Sequence, residues 1–324
     1  MTIEQAGQVD WRTQRVLVTG GRGFLGRHLV ASLQARGAQV VAVGSAEADL
    51  RDRAATLQLF AQVRPTLVLH AAVQGGGIGW MRAHPVESGL DNALINVHAL
   101  DAAHRAGARA FVGVSSACAY PRVPQTIPFP EAEVWDGRPE PTNDTYAQSK
   151  RLMMSLGEAY TAQHGMACAF PMLANLYGPG DHLSPERAHV VAALIQRCLA
   201  GPDELVVWGS GRATREHLYV EDAADGVRVC AEAALAGRSV GPINVGTGIE
   251  VTVAELALEV ARACDYRGPV RFDADKPDGQ PRKCLDVSRM TRELAWTAPT
   301  SLAQGLRRTV DWYRQALAGR EPGE

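Results

Sequence analysis

The chain of 324 residues carries 33 Lys and Arg against 35 Asp and Glu, a net charge of −2. That balance gives no electrostatic hold on nucleic acid or an anionic membrane surface; no apolar run is long enough to span a bilayer; and six cysteines, at 118, 168, 198, 230, 264 and 284, form no Cys-x-x-Cys pair, which speaks against a metal site or disulfide framework and for a reducing cytoplasm. With 46% hydrophobic and 21% charged residues, what remains is a globular protein of one large or two intimate domains, whose polar first ten residues lack a signal-peptide core.

Arg15-Val-Leu-Val-Thr19 is a β-branched apolar run that reads as a strand. It feeds Gly20-Gly-Arg-Gly-Phe-Leu-Gly26 and then a helical stretch to about Arg36. Strand, glycine turn and helix in that order are what a dinucleotide site requires. The glycines let the backbone approach a pyrophosphate, which sits on the helix N-terminus. Gln39 to Gly44 reads as the second strand. At its end a ribose 2′-hydroxyl usually finds an acid, while a 2′-phosphate needs a cation. Gly44-Ser45-Ala46 offers no acid, and Glu47 and Asp49 come slightly later. Arg22 reads either as the phosphate partner, which favours NADP over NAD, or as a solvated turn residue.

Thr66 to His70 is a third strand, and it runs into Ala71-Ala-Val-Gln-Gly-Gly-Gly-Ile78. Small residues there suit close passage of a cofactor; the glycines suit a tight or a flexible loop. Pro85 to Ala106 has helical periodicity, with Leu90, Leu94, Val97 and Leu100 on the expected core face. Asn92, Asn96 and His98 read as capping, core-polar or surface residues rather than ligands. Ala110 to Val114 is a strand ending at Ser115 and Ser116, followed by Cys118 and Tyr120. Strands alternating with helices predict a parallel, doubly wound α/β sheet with its ligand at the strands' C-terminal ends.

Six prolines between Pro121 and Pro141 make an irregular loop. A helix then begins, with Asn143 or Asp144 as N-cap. It carries Tyr146 and Lys150, four apart and so on one face, roughly 5–6 Å between Cβ atoms. A nearby ammonium favours the phenolate, and a hydroxyl of Ser115 or Ser116 can share the same substrate oxygen. Such a set donates a proton to a carbonyl being reduced, or accepts one from an alcohol being oxidised. A Tyr-x-x-x-Lys pair is common by chance; the upstream glycine turn is what gives it weight.

Ala167 to Leu173 is another strand. Beyond Asn175-Leu-Tyr-Gly-Pro-Gly-Asp181 the alternation loosens. Pro185 to Ala200 reads as a helix with His189 near its start and Arg197 towards its end. Strands at Glu204–Trp208, Arg215–Val220 and Val270–Asp273, helices from Asp222 and Val253, and the charged loop Lys276–Lys283 complete a smaller interwoven α/β unit. Two helices close the chain, which frays after about Ala318.

From about Gln14 to Ala316 the chain resembles the extended short-chain dehydrogenase/reductases, and within them the GDP-L-fucose synthase family. Thr19-Gly-Gly-Arg-Gly-Phe-Leu-Gly26, Tyr146-x-x-x-Lys150 and Tyr219-Val-Glu-Asp222 carry the wider likeness. Gly-Gly-Ile near residue 77, Ser116-x-Cys-x-Tyr-Pro121, Glu140-Pro-Thr-Asn143, Asn175-Leu-Tyr-Gly-Pro179, Ala188-His-Val190, Val207-Trp-Gly-Ser-Gly211 and Lys276-Pro-Asp-Gly-Gln-Pro-Arg-Lys283 carry the narrower one. The resemblance implies NADPH-dependent 3,5-epimerisation and 4-keto reduction of a GDP-4-keto-6-deoxy-hexose by a cytoplasmic homodimer built through two helices of the first domain. It implies a cofactor domain over 1–174 with a returning segment at about 215–245, and a nucleotide-sugar domain over the rest of 175–324.

Residue by residue, Ser116, Tyr146 and Lys150 match the reductive triad. Cys118 and His189 match the proton-moving pair. Gly20, Gly21, Arg22, Gly23, Phe24, Leu25, Gly26, Ala71, Ala72, Ser115, Lys150, Met172, Asn175, Leu176 and His189 fall on cofactor positions. Arg197, Trp208, Arg215 and Asp278 fall where the family holds GDP, with Lys283 a weaker candidate for the same task. Two departures stand out: no basic residue ends the second strand, and the loop after Ala72 has an extra glycine and lacks a lysine. They leave open a related GDP-4-keto sugar such as a 6-deoxyheptose, and a single activity, reduction or epimerisation alone.

Overall fold

The computed structural model describes residues 9–183, 188–276 and 278–318. The expected helix start at Pro185 and the frayed end after Ala318 lie outside the described residues.

The first half alternates strand and helix: β1 (Arg15–Thr19), α1 (Phe24–Gln34), β2 (Gln39–Val43), α2 (Arg53–Val63), β3 (Leu67–His70), α3 (Ile78–Ala83), α4 (Pro85–Arg105), β4 (Ala110–Gly113), β5 (Ser115–Ser116), α5 (Asp144–His164) and β6 (Ala167–Leu173). The strands are apolar on both faces because both faces are covered. Val16, Leu17, Val18, Leu67, Val68, Leu69, Phe111 and Val112 are fully buried. The chain continues through β7 (Asn175–Tyr177), α6 (Val190–Leu199), β8 (Leu205–Trp208), β9 (Thr214–Tyr219), α7 (Val220–Leu235), β10 (Val240–Val245), β11 (Glu250–Thr252), α8 (Val253–Ala263), β12 (Val270–Asp273), α9 (Ser288–Leu294) and α10 (Leu302–Ala318).

The main sheet is parallel, in the order β10-β6-β4-β3-β1-β2, with β5 extending it beside β6. α1 and α7 pack on one face; α2, α4 and α5 cover the other. The chain leaves β1 towards β2 and returns across it to β3, so the switch point opens at the C-terminal ends of β1 and β3. A second core gathers Tyr177, Ile195, Leu205, Val207, Tyr219, Leu256, Val260, Leu306, Val310 and Tyr313 around the β7-β9-β11 sheet and the β8-β12 pair. The helix α8 opens on a capping box between Thr252 and Glu255. No helix of the described residues is long and apolar enough to cross a membrane.

Three local expectations change. The buried face of α4 is Ser88, Asn92, Ile95, Asn96, Ala99 and Leu100, whereas Leu90 is 56% exposed. Two buried asparagines turn the helix. Asn92 accepts from the Gln74 N–H at 2.9 Å and donates to its carbonyl at 2.7 Å. Asn96 bonds the His70 ring at 3.0 Å and the Ser149 carbonyl at 3.2 Å. Buried amides must be paired, so hydrogen bonding overrides the apolar period. Second, His189 does not ride within a helix; it is the N-cap of α6. Third, α7 starts at Val220, directly on the end of β9, two residues before Asp222.

Candidate active site

The glycine turn closes against the end of β3. A Cβ on Gly20, whose φ is +67°, would lie 2.7 Å from the Ala71 carbonyl and the Ala72 nitrogen. A Cβ on Gly26 would lie 2.0 Å from the Gly20 oxygen. Only glycine lets turn, helix and strand approach this closely. Gly23 caps α1 without any side-chain hydrogen bond, so the helix N-terminus is left for an anion. The Ser115 hydroxyl is buried with no partner among the described residues. Cradle, uncapped helix and orphaned hydroxyl together fit a dinucleotide. Met172 stands opposite Ser115 in the sheet, and the Asn175 amide donates to the Glu216 carbonyl at 3.0 Å.

The ribose corner differs from expectation. Glu47 folds back so that one carboxylate oxygen accepts from the Gly44 N–H at 2.7 Å and the other from Arg22 Nε at 2.5 Å. An acid therefore does stand at the end of β2, and Arg22 is already paired. The Gly44 N–H above all, with Arg22, outweighs burial and holds the Glu47 carboxyl below its usual range.

Ser116 sits at the end of β5, and its hydroxyl accepts from the Cys118 N–H at 3.1 Å, capping a single 3₁₀ turn. That turn aims residue 118 back across the strand ends. α5 brings Tyr146 to the same place. Lys150 donates to the Val114 carbonyl at 2.9 Å and lies 5.7 Å from the Tyr146 ring centre. The expected lowering of the Tyr146 pKa by Lys150 is absent. Burial raises the phenol, the nearby Cys118 charge raises it further, and only the Ser116 hydrogen bond acts the other way. Lys150 is itself buried, which brings its ammonium down to about 8. Beneath it His70 is buried and held neutral, its pKa pushed down to about 3 by burial and then by Lys150.

Cys118 behaves oppositely. Burial would raise its thiol, but the Lys283 ammonium, the Ser116 hydroxyl and Arg215 outweigh burial and leave it below the ordinary value. Lys283 Nζ is 3.3 Å from the sulfur. Lys283, expected with the nucleotide group, has its ammonium at the thiol. Arg215 donates to the carbonyls of Thr214 at 2.7 Å and Asp278 at 3.3 Å. Arg197 donates to the Val206 carbonyl at 2.7 Å. Trp208 is 70% exposed, with the Lys276 ammonium 5.7 Å from its ring. Both oxygens of Asp278 are engaged, by the Ser210 N–H and hydroxyl at 2.7 Å each.

His189 belongs to a second group. Its Nδ1 faces Asp181 at 3.1 Å, and its ring lies 6.4 Å from Phe24 of the glycine turn. Burial lowers the imidazole, yet the hydrogen bond and charge of Asp181 win and raise it. His28 bonds the Pro179 carbonyl at 2.8 Å, fastening this loop to α1.

Sequence reasoning missed several residues. Asp181 ends a recognised motif and precedes His189 by eight positions, which was a usable signal. Glu216, buried, accepts from the N–H groups of Thr247, Gly248 and Leu285; nothing local betrays it. Asn143 is the N-cap of α5, but its side chain caps nothing. Its carbonyl oxygen and the Thr142 hydroxyl are buried without partners.

Residues 16–246 match the NAD dependent epimerase/dehydratase family. The chain is 36% identical to GDP-L-fucose synthase 1 of Arabidopsis thaliana over 315 residues, covering 95% of this chain and 96% of the relative. It is 36% identical to the GDP-L-fucose synthase of Escherichia coli (strain K12) over 311 residues, covering 93% and 96%. The crystal structure of a GDP-L-fucose synthetase from Naegleria fowleri bound to NADP superposes with a TM-score of 0.83 at 27% identity, covering 96% of this chain and 97% of that one.

Proposed function

This chain belongs to the NAD dependent epimerase/dehydratase family, and from that premise we propose that it epimerises carbons 3 and 5 and reduces carbon 4 of a GDP-4-keto-6-deoxy-hexose with NADPH, giving GDP-L-fucose or a close relative. The observation that carries the proposal is the pairing, at one set of strand ends, of oxygen donors with a thiol of lowered pKa: Ser116 and Tyr146 beside Cys118.

The 4-keto group acidifies the hydrogens on carbons 3 and 5. Cys118, as thiolate, takes such a proton, and the electron pair moves into an enolate on the 4-oxygen. Tyr146 and Ser116 hold that oxygen, the largest single term in chemistry of this kind. The raised pKa of Tyr146 suits it to keep its proton until the oxygen needs it. His189, charged further up the pH scale by Asp181, returns a proton from the other face. NADPH, when bound, supplies the hydride for carbon 4. It would be held by the turn from Gly20 to Gly26, by Ala71 and Ala72, by Ser115, Met172, Asn175 and Leu176, and by Lys150, with Arg22 at the 2′-phosphate. Arg197, Trp208, Arg215 and Asp278 would hold the nucleoside diphosphate, and the unpaired oxygens of Thr142 and Asn143 would take sugar hydroxyls.

We assign the first core with α7 and β10 to the cofactor and the second core to the nucleotide sugar. Val86, Leu90 and Leu152, 66%, 56% and 42% exposed on α4 and α5, supply an apolar surface for a homodimer through these helices.

The test is to incubate the protein with GDP-4-keto-6-deoxymannose in deuterium oxide. Deuterium uptake at carbons 3 and 5 without NADPH, and formation of the 4-hydroxyl product with it, are expected. Absence of both exchange and NADPH oxidation would end the proposal. The loop after Ala72 favours one other substrate for the same assay. Gln74 is tied at both backbone groups to Asn92, and a GDP-4-keto-6-deoxyheptose is run beside the hexose.

A further inference from the structure

We propose that Lys283 is the cation that keeps Cys118 in its thiolate form, and that it serves the proton transfer rather than the grip on the nucleotide. The inference rests on the proposed function in taking Cys118 as the base.

The geometry places this lysine by means that have nothing to do with a phosphate. The Glu216 N–H donates to the Lys283 carbonyl at 3.2 Å. Two residues on, the Leu285 N–H donates to the Glu216 carboxylate at 2.7 Å. From the opposite side the Phe129 N–H donates to the Cys284 carbonyl at 2.8 Å. Residues 283–285 are thus an extended segment gripped between β9 and Phe129. Side chains alternate along such a segment: Arg282 turns outward to pair with Glu250, and Lys283 turns in to reach the sulfur at 3.3 Å. The same clamp sets Arg215, the residue before Glu216, beside them.

Among the described residues, the charged and titratable groups facing the sulfur are few. Lys283 and Arg215 are the cations; Tyr146 faces it as a neutral phenol and Ser116 as a hydroxyl. Glu140 and Asp278 act on Arg215, so Arg215 is partly neutralised while Lys283 is the cation bonded to sulfur. A thiolate next to an ammonium is the form that can act as a base near neutral pH. In the step itself the C–H bond breaks, an S–H bond forms, and the electron pair passes to the enolate oxygen on Tyr146 and Ser116. Lys283 keeps all its protons, so removing it changes how much thiolate exists and not what is transferred.

The full-length protein, without sugar substrate, is treated with iodoacetamide across pH, and modification at Cys118 is followed by mass spectrometry. Among the described residues Cys118 is the only cysteine that is not buried. In Lys283→Met the modification midpoint should rise by at least about one pH unit, so that the rate well below the wild-type midpoint falls ~10-fold; Lys283→Arg should stay within about threefold of wild type. Deuterium exchange should fall through kcat with KM little changed. An unchanged modification profile in Lys283→Met together with a raised KM would make Lys283 a phosphate grip and overturn the proposal. Should Lys283→Met fail to fold, judged by circular dichroism, Lys283→Gln and Lys283→Arg carry the same comparison. Cys118→Ser separates the two ideas. If it still exchanges at the wild-type rate, Cys118 is not the base and the functional reading fails, while a shifted modification profile would still show that Lys283 sets the thiol.

Discussion

Two acids face one cleft, and the protein pushes them apart. On the side built by β5 and α5, Tyr146 is raised by burial, and its would-be activator Lys150 is turned to a backbone carbonyl. On the side closed by residues 283–285, Cys118 is lowered by a cation from a segment 165 positions away in the chain. Groups in one site whose environments separate their pKa values divide acid and base roles. On the proposed reading the phenol of Tyr146 donates a proton and the thiolate of Cys118 accepts one. The contrast also shows that a pair four apart on a helix settles geometry but not electrostatics, because burial and a competing carbonyl decide what the ammonium does.

Removing the phenol should give the largest effect. Tyr146→Phe takes away the proposed proton donor of the reduction, and a fall in NADPH oxidation of ~10³-fold is expected. Deuterium exchange should fall less, since Ser116 still holds the oxygen. Equal losses in both, measured by absorbance and by NMR on one sample, would mean that Ser116 cannot hold the oxygen without Tyr146; exchange left at the wild-type rate would mean that the two chemistries do not share the oxygen site. Next comes the thiol. Cys118→Ser should cut exchange at carbons 3 and 5 by at least about 10²-fold, because a serine hydroxyl beside the same lysine is far from ionised at neutral pH. Residual NADPH-dependent reduction of the unepimerised 4-keto sugar should survive. Its complete loss would place Cys118 in the reduction as well.

Asp181 offers a smaller and more diagnostic change. The folded His189 is raised above its ordinary value, so its protonated form persists to higher pH. Asp181→Asn removes the charge that raises it, so the alkaline limb of the exchange profile should move to lower pH, with a loss of about tenfold near pH 8 and less at pH 6. A uniform loss at every pH would make Asp181 a structural support only.

The legible and illegible parts of the molecule divide along the same line as the two acids. The glycine turn, the strand ends and the spacing of Tyr146 and Lys150 are local patterns: each is determined by residues within one turn or one strand, so period and composition reveal them. The α4 face was misjudged because Asn92 and Asn96 are buried for hydrogen bonds made to Gln74, His70 and Ser149, partners on other elements. Cys118 and Lys283, His189 and Asp181, Glu216 and Leu285 meet only through the fold. A charge alone in sequence gives no clue to which atom it will face.

The ribose corner is where the smallest effect is expected, and where the contrast between local and distant partners can be sharpened most cheaply. Arg22 was readable as a 2′-phosphate partner from the turn alone, but Glu47, twenty-five residues on, already holds its guanidinium while taking the Gly44 N–H. A 2′-phosphate must therefore compete with a carboxylate for Arg22, whereas a 2′-hydroxyl can donate to that carboxylate. Glu47→Gln keeps an acceptor for the Gly44 N–H and removes the charge, so the ratio of kcat/KM for NADPH over NADH should rise about fivefold; Arg22→Ala should lower it by a similar factor. Both groups are solvent-facing, so the shifts should shrink as salt is raised from about 0.05 to 0.5 M. If Arg22→Ala leaves the ratio unchanged at low salt, the phosphate is recognised by other residues, and the pairing of Arg22 with Glu47 is a fastening of the β2 end alone.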